Sequence, residues 1–336
     1  MRRRRALILP FLLWLPTSVS LAQQDPCLTR TVAVNVMTSD GNLVWGLHAS
    51  DFKAQLGRQP AEIVSVTADA GQHRAVIVLD ASGSMADKWG ASLALAEGLL
   101  KWTPHTAFAL ITFSDQIRER VGFDKGNDAV RTKLADLEKF TPGGHTGLLD
   151  ALHEALVTLN APQIGDAIYL ISDGGDNRSR LTESEIKKEL RPRPPRVFGF
   201  APMGPVAARG RTPLEVEGPG FLRALTKKSG GDLILYAGQL HVSTTRDVNV
   251  PLPPKNFLGG VVTFAARAFG QEISEFYRLE IKLPAPLEKP RSWKLEVSAP
   301  KGTKGRPFIV IYPEQLMPCE PRGDQEAGEP GAEPSL

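Results

Sequence analysis

The sequence predicts an α/β fold: a doubly wound, mainly parallel sheet inserted in a small composite β-sandwich that both chain ends build. Three observations carry this. Between residues 75 and 236, short apolar runs alternate with amphipathic segments, the pattern of parallel strands covered by helices on both faces. Outside that region the pattern changes to short alternating strands separated by turns. The chain's two cysteines, Cys27 and Cys319, lie near opposite ends of its 336 residues.

Arg2, Arg3, Arg4 and Arg5 precede an apolar stretch over 6–15, and Ser20 and Ala22 place small residues where a signal peptidase reads. Residues 1–22 are therefore expected to be a cleaved export signal, and the protein to be secreted or periplasmic. A retained anchor is the alternative, but the stretch is short and broken by Pro10 and Pro16, whereas a span needs about 20 apolar residues. No integral membrane segment is expected after cleavage. Four of the 40 basic residues and none of the 37 acidic ones lie in 1–22, so the remainder is near neutral and nucleic acid is not an expected partner. An exported pair of cysteines favours a Cys27–Cys319 disulfide over two free thiols. Such a bond would close nearly the whole chain, contributing in the chain-entropy model on the order of 4 to 5 kcal/mol less any strain.

The expected domains are a β-module over 27–70, an α/β domain over 73–272, returning strands over 273–319 that complete the β-module, and a tail over 320–336. Within the first module, 31–37 and 63–67 alternate as strands, with a turn over 39–42. The α/β series runs as strand 75–79, helix 91–102, strand 107–113, helix 128–140 and a helix following Thr146. It continues with strand 167–171, helix 183–190, strand 197–201, the segment 221–228 and strand 232–236. Leu258, Val261, Val262, Ala265, Ala268 and Phe269 then follow helical spacing despite Gly259 and Gly260. Strands are expected at 275–283, 292–298 and 307–312, and the acidic, Gly/Pro-rich segment 323–336 is expected to be disordered. Arg191 to Arg196, rich in proline, reads as a stiff connector rather than a polyproline ligand.

The chemistry concentrates at strand ends. The apolar run 75–79 ends in Asp80, Ala81, Ser82, Gly83 and Ser84, and a strand buried on both faces opens at its carboxyl end where such sheets bind ligands. One carboxylate and two hydroxyls around a small glycine suit a hard cation such as Mg²⁺, with Mn²⁺ or Ca²⁺ possible. A second apolar run, 167–171, ends in Ser172, Asp173, Gly174, Gly175 and Asp176, which sets Asp173 in an equivalent place. The third piece is Gly143, Gly144, His145 and Thr146, ahead of an amphipathic helix.

Together these pieces resemble the metal-ion-dependent adhesion site of the von Willebrand factor type A family, in which Asp-x-Ser-x-Ser, a distant Thr and a distant Asp share one cation. The resemblance implies that Ser82, Ser84 and Thr146 touch the metal directly and that Asp80 and Asp173 act through water. It also implies that an Asp or Glu side chain of a partner protein completes the shell, so the expected function is adhesion rather than catalysis. The order of segments further resembles secreted bacterial relatives, in which a segment like 46–52 precedes the domain and a Tyr-bearing strand like 276–279 follows it. Three competing readings stand beside this one. Asp80, Ser82 and Thr146 would be plain helix caps, and Asp173 part of a turn. The cation would be purely structural. Or Ser82 or Ser84 with His145 and Asp173 would form a hydrolase triad, although Asp80 stands where a nucleophile elbow has glycine. Asp176 and Asn177 are read as solvated turn residues or a second cation loop, and Trp89 as packing or a ligand contact.

Overall fold

The structure, a computed structural model, describes residues 26–38, 41–191, 194–202, 213–236, 242–243, 257–298 and 308–319. The expected export signal, the tail over 323–336, Ser39, Asp40, Pro192 and Arg193 lie outside the described residues.

A short 3-10 turn leads into β1 (Thr29–Met37), followed by β2 (Phe52–Leu56) and β3 (Gln59–Asp69). The β2–β3 turn opens on Gly57 at φ 65°, a left-handed conformation that suits glycine. The α/β unit then runs β4 (Arg74–Asp80), α1 (Trp89–Trp102), β5 (Ala107–Phe113), β6 (Ile117–Val121), α2 (Gly126–Leu137), α3 (Leu148–Leu159) and β7 (Ala167–Ile171). It continues through α4 (Glu183–Glu189), β8 (Arg196–Pro202), α5 (Pro213–Ser229), β9 (Leu233–Tyr236), β10 (Val242–Ser243) and α6 (Phe257–Ser274). β11 (Phe276–Lys282), β12 (Arg291–Val297), β13 (Ile309–Ile311) and β14 (Gln315–Leu316) complete the described chain.

The α/β sheet has the order β10-β9-β8-β7-β4-β5-β6, parallel from β9 to β5 with antiparallel edges. Because successive strand residues face opposite sides, Ala75, Ile77 and Leu79 pack under α1, α2 and α6, whereas Val76 and Val78 pack under α3, α4 and α5. Both sides of β4 are thus apolar, which accounts for the unbroken run in its sequence. From β4 the chain moves to β5 on one side and later to β7 on the other. The carboxyl ends of β4 and β7 therefore flank a topological switch point.

Strands from both ends interleave in the second sheet, of order β13-β1-β11-β3-β2-β12-β14, so neither end completes it alone. The expected composite β-module takes the form of one continuous antiparallel sheet curled around one core of β1, β2, β11 and β12 side chains. β12 and β13, distant in the strand order, touch each other: Trp293 packs on Tyr312 with ring centroids 5.0 Å apart and donates its indole N–H to Pro313 O. The Tyr-bearing strand and the segment before β2 meet as well. The Tyr277 hydroxyl accepts from Leu47 N at 3.1 Å and donates to Val44 O at 3.0 Å. Cys27 and Cys319 are disulfide-bonded, with Cα atoms 5.3 Å apart.

The β-module meets the amino ends of the parallel strands. Arg196, at the start of β8 and 4% exposed, donates from Nη1 to Asn35 Oδ1 (3.0 Å) and Glu272 O (2.8 Å), and from Nη2 to Ile273 O (3.0 Å). Its positive charge faces the carbonyl end of α6, where cations are favoured. Burial pulls its pKa down to about 10, opposed by Glu272 and Asp69. The guanidinium also lies 4.4 Å from the Phe276 ring centroid. The stretch read as a proline-rich connector thus ends in a residue that joins the two units.

Four strands were not individually expected. β2 alternates Phe52, Ala54 and Leu56 inward, a signal the sequence carries. β6 is an edge strand whose charged residues, Arg118, Glu119 and Arg120, mask its single inward face. β10 and β14 are only two residues long and leave no periodicity to read. Opening the disulfide by paired Cys27→Ser and Cys319→Ser substitutions is expected to lower unfolding stability by about 2 to 4 kcal/mol in urea melts, with β-module amides losing exchange protection first. Unchanged stability would deny the cross-link its stapling role.

Candidate metal centre

β4 delivers Asp80 to the switch point fully buried. Its Oδ1 accepts from the Ser82 N–H at 2.9 Å and its Oδ2 from the Ser172 hydroxyl at 2.6 Å. Ser82 occupies the N-cap position of a 3-10 turn over Gly83–Lys88, yet its side chain makes no cap hydrogen bond. Its Oγ lies instead 3.2 Å from Ser84 Oγ. Simple capping therefore does not describe Ser82.

The glycine-rich loop before α3 is sewn to this first loop through main chain. Gly143 N donates to Ala81 O (2.9 Å), and Gly83 N donates to Gly144 O (3.1 Å). Gly144 adopts φ 90°, and a Cβ there would stand 2.9 Å from Asp115 Oδ1. Only glycine fits both demands. The β5–β6 turn supports the loop from below: Gly147 N donates to Ser114 O, while Arg118 donates to Ser114 Oγ (2.6 Å) and Gly143 O (3.2 Å).

Thr146 is 4% exposed and tied to the loop after β7 through its backbone. Its N–H donates to Asn177 Oδ1 (2.8 Å), and its carbonyl accepts from Asn177 N and Arg178 N. The free N–H groups of α3 are served by other residues. Leu149 N donates to Asp176 Oδ2 and Ser179 Oγ, both at 2.9 Å, and Asp150 N to Ser179 Oγ at 3.1 Å. Gly147, not Thr146, holds the N-cap position. The Thr146 hydroxyl is thus not required as a cap.

Asp173 follows β7. Its Oδ1 accepts from Gly175 N at 3.4 Å, and its Oδ2 lies 3.9 Å from Lys88 Nζ. Lys88 also donates to Ser84 O at 2.8 Å, so a single ammonium spans the first and third loops. Burial pushes the Asp80 carboxyl up to about 6; hydrogen bonds from Ser172 and Ser82 pull it back and the charge of Asp173 adds to the rise. Asp80 and Asp173 therefore sense each other across the switch point.

The five expected ligand residues occupy three loops held together by main-chain bonds. Their donor set is two carboxylates and three hydroxyls, without imidazole or thiolate, which fits a hard divalent cation and not a soft one. Among the described residues, no three His, Cys, Asp or Glu side chains gather into a metal-holding group. A fully buried carboxylate beside a second one also calls for positive charge. His145 is exposed, and no hydrogen bond among the described residues links it to Ser82, Ser84 or Asp173. Trp89 is core: it packs on Phe140 and donates to Leu137 O. Asp176, read as turn or second cation loop, has both oxygens taken by Leu149, Arg178 and Ser179 and anchors α3. Ser172, Ser114, Arg118, Ser179 and Lys88 were missed. Ser172 alone left a signal, standing next to Asp173 at the end of an apolar run.

Residues 75–175 match the family model of the von Willebrand factor type A domain, a segment that contains all five positions. The α/β unit has that fold. No curated protein matches the chain. Solved structures similar to it include a von Willebrand factor type A protein from Catenulispora acidiphila (11% identity, 86% of this chain and 75% of that one, TM-score 0.41). BatB from Bacteroides thetaiotaomicron is 17% identical over 60% of this chain and 97% of its own, with TM-score 0.41. Proximal thread matrix protein 1 of the mussel byssus, with a zinc-occupied adhesion-site motif, is 17% identical over 64% of this chain and 49% of its own, with TM-score 0.41.

The Asp80 carboxyl titrates near 3.8 when unfolded and at about 6 when folded. In chelator, its contribution to stability is therefore fully present below pH 3.8 and lost as pH rises through about 6, a loss of about 3 kcal/mol. Urea melts from pH 4 to pH 7 should show that loss in the wild type and not in Asp80→Asn. Parallel profiles would contradict the assignment.

Proposed function

We propose that the protein is a secreted or periplasmic adhesion or interaction protein that binds an acidic side chain of a partner through a divalent cation. The observation that supports this reading is the hydrogen bonding that ties together the three loops on which Asp80, Ser82, Ser84, Thr146 and Asp173 stand. In this proposal Ser82, Ser84 and Thr146 offer neutral oxygens directly, while Asp80 and Asp173 act through water. When bound, Mg²⁺, or Mn²⁺ or Ca²⁺ in its place, supplies a coordination position that a partner's Asp or Glu oxygen fills. Two carboxylates balance the charge of one divalent ion, and the neutral hydroxyls leave it attractive to an incoming anion. The reading takes residues 1–22 as an export signal and 73–272 as the functional domain, framed by the β-module over 27–70 and 273–319. Among the described residues, no helix is long and apolar enough to cross a membrane.

Lys88 gives the proposal a sharper form. Its ammonium sits between Ser84 O and Asp173, where it partly neutralises the site in the absence of a cation and opposes a cation that enters. It also leaves the filled site with excess positive charge for an acidic partner.

Calorimetric titration with MgCl₂ tests the site. Asp80→Ala should abolish the Mg²⁺ heat, whereas Lys88→Met should tighten binding about 3- to 10-fold by removing a like charge. Wild-type protein that takes up no divalent cation would sink the metal reading. A partner captured from native extracellular or periplasmic material should be released by chelator, and persistence of that complex would reject cation-mediated binding.

A further inference from the structure

Where α4 and α5 meet β14 and the β11–β12 connection, two adjoining cavities of about 470 and 490 Å³ share Pro194, Ser229, Gln315 and Met317. They form one groove beside the amino end of β8, at the opposite edge of the sheet from Asp80. We propose that this groove is a second binding site, for an acidic peptide segment of a partner protein, that works independently of the metal centre.

Its chemistry is two-layered. The second cavity has an apolar floor of Leu190, Phe221, Leu225 and Met317, with Leu190 and Leu225 buried and the other two half-buried. Around it stand Lys187, Arg191, Lys228 and Lys289, all exposed. Glu183 is the one acid lining this cavity, and it is already engaged by Lys187 Nζ at 2.5 Å. No ion pair among the described residues engages Arg191, Lys228 or Lys289. In the first cavity the charges are already engaged: Arg278 pairs with Asp69, Asp166 with Arg74, and Arg196 and Arg30 donate to carbonyls, so the cationic rim belongs to the second cavity.

The charge excess selects an anionic occupant, and the apolar floor selects one that also carries hydrophobic side chains. Each cavity falls within the usual size of a ligand pocket, about 300 to 1,000 Å³, at a junction between units where such sites occur. A planar anionic surface would meet the cationic rim and leave Leu190, Phe221 and Leu225 uncovered. A peptide bearing both Glu or Asp and large apolar residues satisfies both layers, because its side chains enter the groove separately.

The test is fluorescence anisotropy of a short labelled peptide of mixed Glu and Leu, with an all-Glu peptide and anionic phosphatidylglycerol vesicles as comparisons. The mixed peptide should bind most tightly and weaken as salt rises. Lys228→Glu with Lys289→Glu should reduce its affinity about tenfold or more while leaving the melting temperature unchanged. Chelator and Asp80→Ala should have no effect, which separates this site from the metal centre. Equal binding by the charge-reversed variant, or preferential binding to vesicles, would overturn the proposal. Tighter peptide binding after removal of residues 320–336 would also overturn it, by assigning the groove to the chain's own acidic segment.

Discussion

A carboxylate buried at the end of the central strand is the constraint around which this protein is arranged. Asp80 has no exposed surface, and a lone ionised carboxylate in such a place is costly. Two donors, Ser82 N–H and Ser172 Oγ, come from the loops after β4 and β7 and draw those loops together. They do not supply countercharge, which is why the carboxyl is held up at about 6. The Lys88 ammonium lies against Asp173 and the Ser84 carbonyl. Burial of Asp80 thus leaves an electrostatic demand at the carboxyl end of β4.

The parallel sheet gives its two edges different work. At the carboxyl edge, the loops after β4 and β7 flank a topological switch point and display polar side chains there. At the amino edge, Arg196 enters a joint with β1, α6 and β11. A second buried charge sits there, but satisfied differently: Arg196 is met by main-chain carbonyls at the end of α6 and by aromatic faces. The joint binds two units that the interleaved strand order and the Cys27–Cys319 bond already keep from separating.

Much of this was legible in the sequence because burial on both faces leaves continuous apolar runs. The spans expected at 107–113 and 167–171 are β5 and β7 as they stand, and Asp80 and Asp173 follow from the ends of such runs. Helices with a strong apolar stripe were equally plain, as α3 shows. What escaped reading was set by tertiary contacts. Nothing near Asp176 in the chain indicates that it caps α3, 27 residues earlier. The path of Lys88 to Asp173 is likewise made by folding. Arg196 looked like one more basic residue in a proline-rich connector until β1 and α6 closed over it. The edge strand β6 failed for another reason, because Arg118 and Arg120 face water and charge hides its alternation, whereas β10 and β14 are too short to alternate.

The central claim, that three loops form one cage for a divalent ion, is tested most directly by crystals grown with MnCl₂ and an anomalous difference map at the manganese edge. The account predicts a single strong peak at bonding distance from the hydroxyl oxygens of Ser82, Ser84 and Thr146, with the Lys88 ammonium displaced from Asp173. A map without a peak among these residues, with Lys88 still seated against Asp173, would contradict it.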